Sequence, residues 1–238
     1  MVPMPRKVIK GSPPFGYRDL IHLIELMRGD EKHDVSAYST LDVLWVLYDS
    51  VLNVEPSTVD DPMRDRLFIS KGHGPMALYA VLAAKGFIAT EDLPLYGAFR
   101  SPLGWHPDRL RIPGVEISSG SLGHGLAIAI GSLYALALCC PSPPRSYCLM
   151  GDGELDEGSV HEAIALASRL RMGILTAIVI DNHSASHGWP GGIASRFDVE
   201  GWHTTTVSGR DHDQLRAALR NAGIDAKGAP HAVICEVV

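Results

Sequence analysis

Two short polar segments have the residue types of a cation site. Gly-Asp-Gly at 151–153 follows an apolar run, and Asp-Asn at 181–182 closes another apolar run. The stretch between them has the length of a strand–helix–strand crossover, which would bring Asp152 and Asn182 to one edge of a parallel sheet. Their oxygens suit a hard divalent cation such as Mg²⁺ or Ca²⁺, and Mg²⁺ usually takes further ligands from phosphate. The alternative is an ordinary Gly-Asp-Gly turn.

A third polar segment has the composition of a diphosphate-binding loop. The sequence GVEISSGSLGHGLAIAIG at 114–131 passes from a loop rich in glycine and serine into an apolar helix. Free backbone amides and the helix dipole at such an entry favour a diphosphate. The segment has neither the Walker pattern nor a Gly-x-Gly-x-x-Gly motif after a strand. A nucleotide-binding fold remains the alternative for this loop.

The pattern of apolar residues predicts the elements that position these segments. Helical spacing predicts that the first hundred residues are helical, with helices at 20–27, 40–52 and 76–87. Shorter apolar runs then predict strands at 146–150, 174–181 and 231–238. The alternation of strands and helices predicts an α/β fold, with a mostly parallel sheet flanked by helices, a flexible lead-in at 1–15 and one domain at 16–238. Ligands of such sheets bind beyond the carboxyl ends of the strands.

The composition excludes several classes of function. The formal net charge is −6 and the basic residues form no stripe, which argues against a nucleic-acid partner. The apolar segment 126–140 is shorter than the roughly twenty residues that cross a bilayer, so we expect a buried helix and no membrane partner. Cysteines 139, 140, 148 and 235 lack zinc-site spacing and are predicted to be reduced core residues. Because the sequence also lacks a signal-peptide pattern, we expect a cytoplasmic protein.

Four motifs together resemble the thiamine-diphosphate half of the transketolase family. They are SKGHGPMALYAVLAAKGF (70–87), GWHPDRLRIPGVEISSGSLGHGL (104–126), MGDGELDEG (150–158) and IDNHS (180–184). They occur in the family's order over nearly the whole chain, and their combination is more specific than any one motif. The pyruvate dehydrogenase alpha chain shares Gly-Asp-Gly, but SKGHG and GWHP are not expected there.

The resemblance implies a thiamine-diphosphate-binding fold and assigns the site residues by motif position. The implied ligands of Mg²⁺ (or Ca²⁺ or Mn²⁺) are Asp152, Asn182 and the backbone carbonyl of Ser184. The implied contacts with thiamine diphosphate are His73, Gly120, Ser121, Leu122, Gly153, Asn182 and Arg210. The implied catalytic residues are His33, His73 and His106, which move protons, and Glu157, which reaches across a subunit interface. Surface or capping roles are the alternative for the histidines, and a first-turn helix carboxylate is the alternative for Glu157.

The resemblance also implies a split enzyme. A complete transketolase is more than twice this length, and its second domain supplies the activating glutamate and the aminopyrimidine pocket. We therefore expect an amino-terminal subunit, active only in an α2β2 heterotetramer with a carboxy-terminal subunit that carries the pyrimidine-binding domain. The expected reaction transfers a two-carbon ketol unit from a ketose or ketose phosphate to an aldehyde or related acceptor. The alternatives are an acyloin-forming or 2-oxo acid-decarboxylating subunit, and a non-catalytic cofactor-binding subunit.

Three segments depart from the family pattern. The family's Gly-His-Pro-Gly is Lys-His-Asp-Val at 32–35, and Arg210 stands where the family usually has a histidine facing the cofactor. Arginine cannot act as a proton shuttle at working pH, although it could bind phosphate. The segment SASHGWPGG at 184–192 is unusually rich in glycine, tryptophan and proline. These changes predict a role in specialised metabolism rather than in the pentose phosphate route.

Overall fold

The computed structural model describes residues 15–27, 34–222 and 228–237. The strands are β1 (Arg66–Ile69), β2 (Ser146–Gly151), β3 (Leu175–Asp181), β4 (His203–Ser208) and β5 (His231–Glu236). The helices are α1 (Leu20–Glu25), α2 (Asp34–Val46), α3 (Met76–Ala84), α4 (Gly125–Cys139), α5 (Gly158–Arg169), α6 (Gly192–Asp198) and α7 (His212–Asn221). The predicted lead-in at 1–15 lies outside the described residues except for Phe15, which packs against the core.

The five strands form one parallel sheet in the order β1-β2-β3-β5-β4, which confirms the predicted α/β fold. The prediction that the first hundred residues are helical is wrong at β1. This strand has four residues and begins with Arg66, so it gave no distinct apolar run. Strand β4 was also not predicted, because its three threonines lie at the half-exposed edge of the sheet.

Side chains that alternate along the strands build a core on each face of the sheet. Tyr147 and Leu149 of β2 point to the face covered by α1, α2, α3 and α7. Cys148 and Met150 point to the other face, which α4, α5 and α6 cover. Because β2 and β3 are buried along almost their whole length, their sequences read as continuous apolar runs.

Helix α4 is buried on one side only, so the predicted fully buried helix is wrong for its outward side. Leu126, Ile130 and Leu133 pack in the core, whereas Ile128, Tyr134 and Leu138 are 45, 49 and 73% exposed. The predicted core position is also wrong for Cys139, which is exposed, and for Cys140, which is partly exposed; both stand where α4 leaves the sheet. No helix among the described residues is long and apolar enough to cross a membrane.

Candidate functional site

A pocket of about 460 Å³ opens beyond the carboxyl end of β2, a volume typical of small-molecule sites. Its lining residues are Lys71, His73, Leu122, Gly151, Gly153, Glu154, Asp156, Glu157, Ser184, Ser186 and His187. Asp152 follows β2 and Asn182 follows the adjacent parallel strand β3, with α5 between them. The crossover predicted from their spacing is therefore present.

Asp152 is the buried centre of this edge of the sheet, with 1% of its surface exposed. Its Oδ1 accepts hydrogen bonds from the Gly153 N–H (2.9 Å) and the Ser184 hydroxyl (2.6 Å). Its Oδ2 accepts from the N–H groups of Ser184 (2.7 Å) and Ala185 (3.1 Å). A carboxylate offers about four lone-pair sites, so these donors occupy all of them. A cation at Asp152 must displace at least one donor.

Asn182 supplies a buried side-chain oxygen. Its side-chain Oδ1 has no hydrogen-bond partner among the described residues. Burying such a group without a partner costs about 1–3 kcal/mol, so its presence is best explained by a ligand. The next residue, His183, adopts a left-handed conformation (φ 57°), and its N–H donates to Asp181 Oδ1 (3.2 Å). This turn returns Ser184 to Asp152.

These groups fit a divalent cation with few protein ligands. A Cβ atom on Gly153 would lie 3.8 Å from the carbonyl oxygen of Ser184, so only bare backbone separates the two segments. Within ranges 15–27, 34–222 and 228–237, no cluster of three or more His, Cys, Asp or Glu side chains could hold a metal. The available set is therefore one carboxylate, one amide oxygen and one backbone carbonyl, which suits Mg²⁺.

Glu154 joins three segments around the pocket. Its Oε1 accepts hydrogen bonds from the Ser70 hydroxyl (2.5 Å) and the Gly123 N–H (2.9 Å), and its Oε2 accepts from the Gly151 N–H (3.1 Å). The Ser70 Oγ in turn accepts from the Gly125 N–H (3.0 Å). Burial raises the pKa of Glu154, and these hydrogen bonds oppose that shift. The carboxylate therefore connects the end of β2 with the segments that precede α3 and α4.

Lys71 places a cation in the pocket. It is 6% exposed, and its Nζ donates to the Ser39 hydroxyl over 2.8 Å. Burial lowers the pKa of Lys71 to about 8, although nearby Asp152 and Glu154 act to raise it. Most of the amine is still charged at neutral pH, so it provides a positive charge for an anionic ligand.

The loop before α4 lies between His106 and Glu157. A Cβ on Gly120 would lie 3.4 Å from the imidazole of His106. Gly123 has a φ of +83°, and a Cβ there would lie only 2.7 Å from that of Glu157, so this close approach requires glycine. Glu157 itself is exposed and lines the pocket. The loop therefore passes beside two of the predicted catalytic side chains, His106 and Glu157.

The structure brings most of the predicted site residues together. His73, Leu122, Gly153, Glu157 and Ser184 line the pocket, and Ser121 is exposed in the adjoining loop. Arg210 does not line it: its guanidinium donates to the Tyr38 carbonyl (2.7 Å) and to Asp42 (2.9 Å). The contact of Arg210 with the cofactor remains a prediction, and neither of these hydrogen bonds supports it. His33 lies outside the described residues.

Several pocket residues were not assigned to the site from the sequence. They are Lys71, Glu154, Asp156, Ser186 and His187. Lys71 and Glu154 stand inside the SKGHG and GDGELDEG motifs, where a buried charged residue was a usable signal. Ser186 and His187 lie in the segment 184–192 that departs from the family pattern, but the sequence assigned them no chemistry, because their positions depend on how the loop after β3 folds back.

Comparison with known proteins agrees with this geometry. Residues 23–238 match the family described as transketolase, thiamine diphosphate binding domain. The chain is 54% identical over 223 residues to "Ferredoxin fas2" of Rhodococcoides fascians, covering 94% of this chain and 72% of fas2. It is 35% identical over 202 residues to one subunit of the apulose-4-phosphate transketolase of Phocaeicola vulgatus, covering 82% of this chain and 71% of that relative.

The word ferredoxin in one relative's name finds no counterpart in this chain. All four cysteines are free thiols. Cys148 and Cys235 are buried on opposite faces of the sheet, and Cys139 and Cys140 lie at the end of α4, so they cannot gather around one iron–sulfur cluster. The similarity with fas2 covers 94% of this chain and therefore includes most of residues 23–238, which match the transketolase domain.

A solved structure shows the same arrangement of elements. The transketolase from Leishmania mexicana superimposes with a TM-score of 0.75 at 25% sequence identity, covering 93% of this chain and 36% of that one. This chain thus corresponds to about a third of that transketolase. The domain match, the relatives and the shared fold agree, and the chain belongs to the transketolase family.

Proposed function

We propose that this chain binds thiamine diphosphate through Mg²⁺ and, with a partner subunit, transfers a two-carbon ketol unit from a ketose phosphate to an aldehyde acceptor. The observation that carries the proposal is the buried Oδ1 of Asn182, which lacks a partner among the described residues and belongs to the turn that joins Ser184 to Asp152. Mg²⁺ supplies what this oxygen lacks. Ca²⁺ and Mn²⁺ could occupy the same ligand set.

The proposed ligands differ in whether hydrogen-bond donors of the protein already occupy them. The Asn182 oxygen is unoccupied by protein donors among the described residues, whereas Asp152 must release one of its four donors. The backbone carbonyl of Ser184 is the third ligand. Gly153 and Gly120 approach the cofactor without side chains, Ser121 and Leu122 complete the contact, and Lys71 offsets the negative charge of the diphosphate.

The chain's own residues then bind, orient and exchange protons. The chemistry supplied by bound thiamine diphosphate is nucleophilic attack on the ketose carbonyl and storage of the resulting electron pair. His73 lines the pocket and His106 packs beside Gly120 in the loop before α4, so we propose that both exchange protons with substrate hydroxyl groups. The exposed Glu157 is free to reach the glutamate of a second subunit.

The partner carries the pyrimidine-binding domain. One support is a relative that is itself named as one subunit of a transketolase; the alignment with this chain covers 71% of that relative. A second support is the exposed position of Glu157 at the pocket. We propose an α2β2 assembly in the cytoplasm, where the free thiols stay reduced. The apulose-4-phosphate named for that relative supports a sugar phosphate as substrate in a specialised pathway.

Reconstitution tests the proposal. The chain is mixed with a candidate subunit that carries a pyrimidine-binding domain, and turnover of ketose phosphates and 2-oxo acids is measured. We expect ketol transfer only when both subunits, thiamine diphosphate and Mg²⁺ are present. Equal turnover by the isolated chain would contradict the split enzyme, and consumption of 2-oxo acids with release of carbon dioxide would contradict ketol transfer.

A further inference from the structure

One wall of the pocket is a loop, residues 184–191, that departs from the family pattern. Beyond the contacts of Ser184 and Ala185 with Asp152, the loop is held by Asp156, whose Oδ2 accepts the N–H groups of Ser186 (3.1 Å) and His187 (3.2 Å). Asp156 thus fixes the backbone at the position where the loop faces the pocket.

The far end of the loop is held by contacts of Trp189 with a tilted aromatic ring and a guanidinium group. The Trp189 ring lies 4.8 Å from the imidazole of His161 and 5.5 Å from the guanidinium of Arg196. Arg196 Nε also donates to His161 Nδ1 over 3.0 Å, and the Ser195 hydroxyl donates to the Pro190 carbonyl over 2.8 Å. With both ends held, the wall presents His187 in a defined place.

We propose that His187 binds a phosphate oxygen of a ligand in this pocket. Its side chain lines the pocket together with Lys71 and His73, and these three supply the basic groups of the lining. Of the three lining carboxylates, Glu154 accepts hydrogen bonds through both oxygens and Asp156 through Oδ2, whereas the buried Asp156 Oδ1 has no partner among the described residues. The basic donors available to a ligand are Lys71, His73 and His187, and such donors are the chemistry that recognises phosphate.

This inference rests on the proposed function and deepens it. The phosphate oxygen belongs either to the cofactor's diphosphate or to the terminal phosphate of the donor sugar. His187 would bind either phosphate through the same N–H group. Loss of a cofactor contact changes the Kd for thiamine diphosphate, whereas loss of a donor contact changes the KM for the donor sugar. Asp156 acts on His187 as a positioning residue in either case, since its Oδ2 holds the backbone N–H of His187.

The test compares His187→Gln with His22→Gln in the reconstituted complex, because His22 is an exposed histidine on α1, away from the pocket. The constants are the Kd for thiamine diphosphate with Mg²⁺ and the KM for fructose 6-phosphate and for fructose. A cofactor contact raises the Kd about tenfold, and a donor contact raises only the KM for fructose 6-phosphate about tenfold. Changes below twofold in both constants would overturn the proposal.

A second pair of variants tests the positioning role of Asp156. Asp156→Ala removes the acceptor of both N–H groups and should raise the same constant as His187→Gln. Asp156→Asn keeps an oxygen at that place and should restore most of the loss. If Asp156→Asn raises this constant as much as Asp156→Ala does, Asp156 does not position His187 by accepting its backbone N–H group.

Failure of this inference is distinguishable from failure of the proposed function. If the unaltered complex binds no thiamine diphosphate with Mg²⁺ and turns over no ketose phosphate, the proposed function fails and the His187 site fails with it. If the unaltered complex does both and His187→Gln behaves like His22→Gln, only the His187 site is wrong.

Discussion

The hydroxyl of Ser184 donates to Asp152 Oδ1 over 2.6 Å, while the N–H of the same residue donates to Oδ2 over 2.7 Å. One residue thus occupies a lone pair on each oxygen of the carboxylate proposed to bind the metal. The backbone carbonyl of Ser184 is a proposed ligand, but its hydroxyl competes with the cation for Asp152. The proposed site therefore gives Ser184 two opposite effects on metal binding.

Ser184→Ala should strengthen metal binding. The change removes the competing hydroxyl and keeps the carbonyl, and a hydrogen bond of about 0.5–1.5 kcal/mol corresponds to a factor of about two to ten. We expect the Mg²⁺ concentration at half-maximal cofactor binding to fall by that factor in a titration at fixed thiamine diphosphate. A rise in this concentration would show that the hydroxyl is itself needed.

Gly123→Ala should destabilise the fold. Its φ of +83° and the 2.7 Å approach to Glu157 leave no room for a methyl group, and we expect a loss of about 1–3 kcal/mol in the free energy of unfolding. Gly131→Ala in α4 is the matched control, since a Cβ there meets nothing within 4 Å. The control should gain up to about 1 kcal/mol from helix propensity. Equal effects in urea unfolding would contradict this packing.

Ser70→Ala should also destabilise the chain. The serine hydroxyl donates to Glu154 and accepts from the Gly125 N–H, and both partners are buried. Leaving them without this hydrogen bond should cost about 2 kcal/mol in urea unfolding. The half-buried Ser132 of α4 serves as the control, and its change to alanine should stay within about 0.5 kcal/mol. A Ser70→Ala loss as small as that of the control would refute the connecting role of Glu154.

Arg210→Ala separates a structural role from a cofactor role. The guanidinium binds Asp42, which is 7% exposed, but the arginine side chain is itself 45% exposed, so solvent weakens the pair. We expect a loss of about 1–2 kcal/mol in the free energy of unfolding and a change below twofold in the Kd for thiamine diphosphate. A tenfold rise in this Kd at unchanged stability would restore the cofactor contact predicted from the sequence.

The sequence carried enough information to predict the buried strands and the strand ends that carry the proposed metal ligands. Strands β2 and β3 are apolar on both faces, and the polar residues that follow them mark where they end. The short β1 and the threonine-rich β4 escaped because their strand character comes from pairing with neighbours. The outward side of α4 was misjudged because composition does not say what covers a helix.

The pocket wall was harder to predict than the two strand ends beside it. Asp152 and Asn182 follow adjacent strands, and sequence spacing alone suggested their proximity. His187 reaches the pocket only because His183 turns the chain and Asp156 holds the loop. Arg210 was placed by analogy with the family, whereas its guanidinium contacts Asp42 on α2. Such tertiary contacts leave no periodic signal in the sequence.

Asn182→Ala tests the central claim most directly. Because the Asn182 Oδ1 has no partner among the described residues, its removal should leave the free energy of unfolding of the metal-free chain unchanged or raise it by up to about 1 kcal/mol. The same change should weaken Mg²⁺-dependent binding of thiamine diphosphate by the reconstituted complex at least tenfold. Unchanged Mg²⁺-dependent binding by a stably folded Asn182→Ala complex would contradict the proposed metal site.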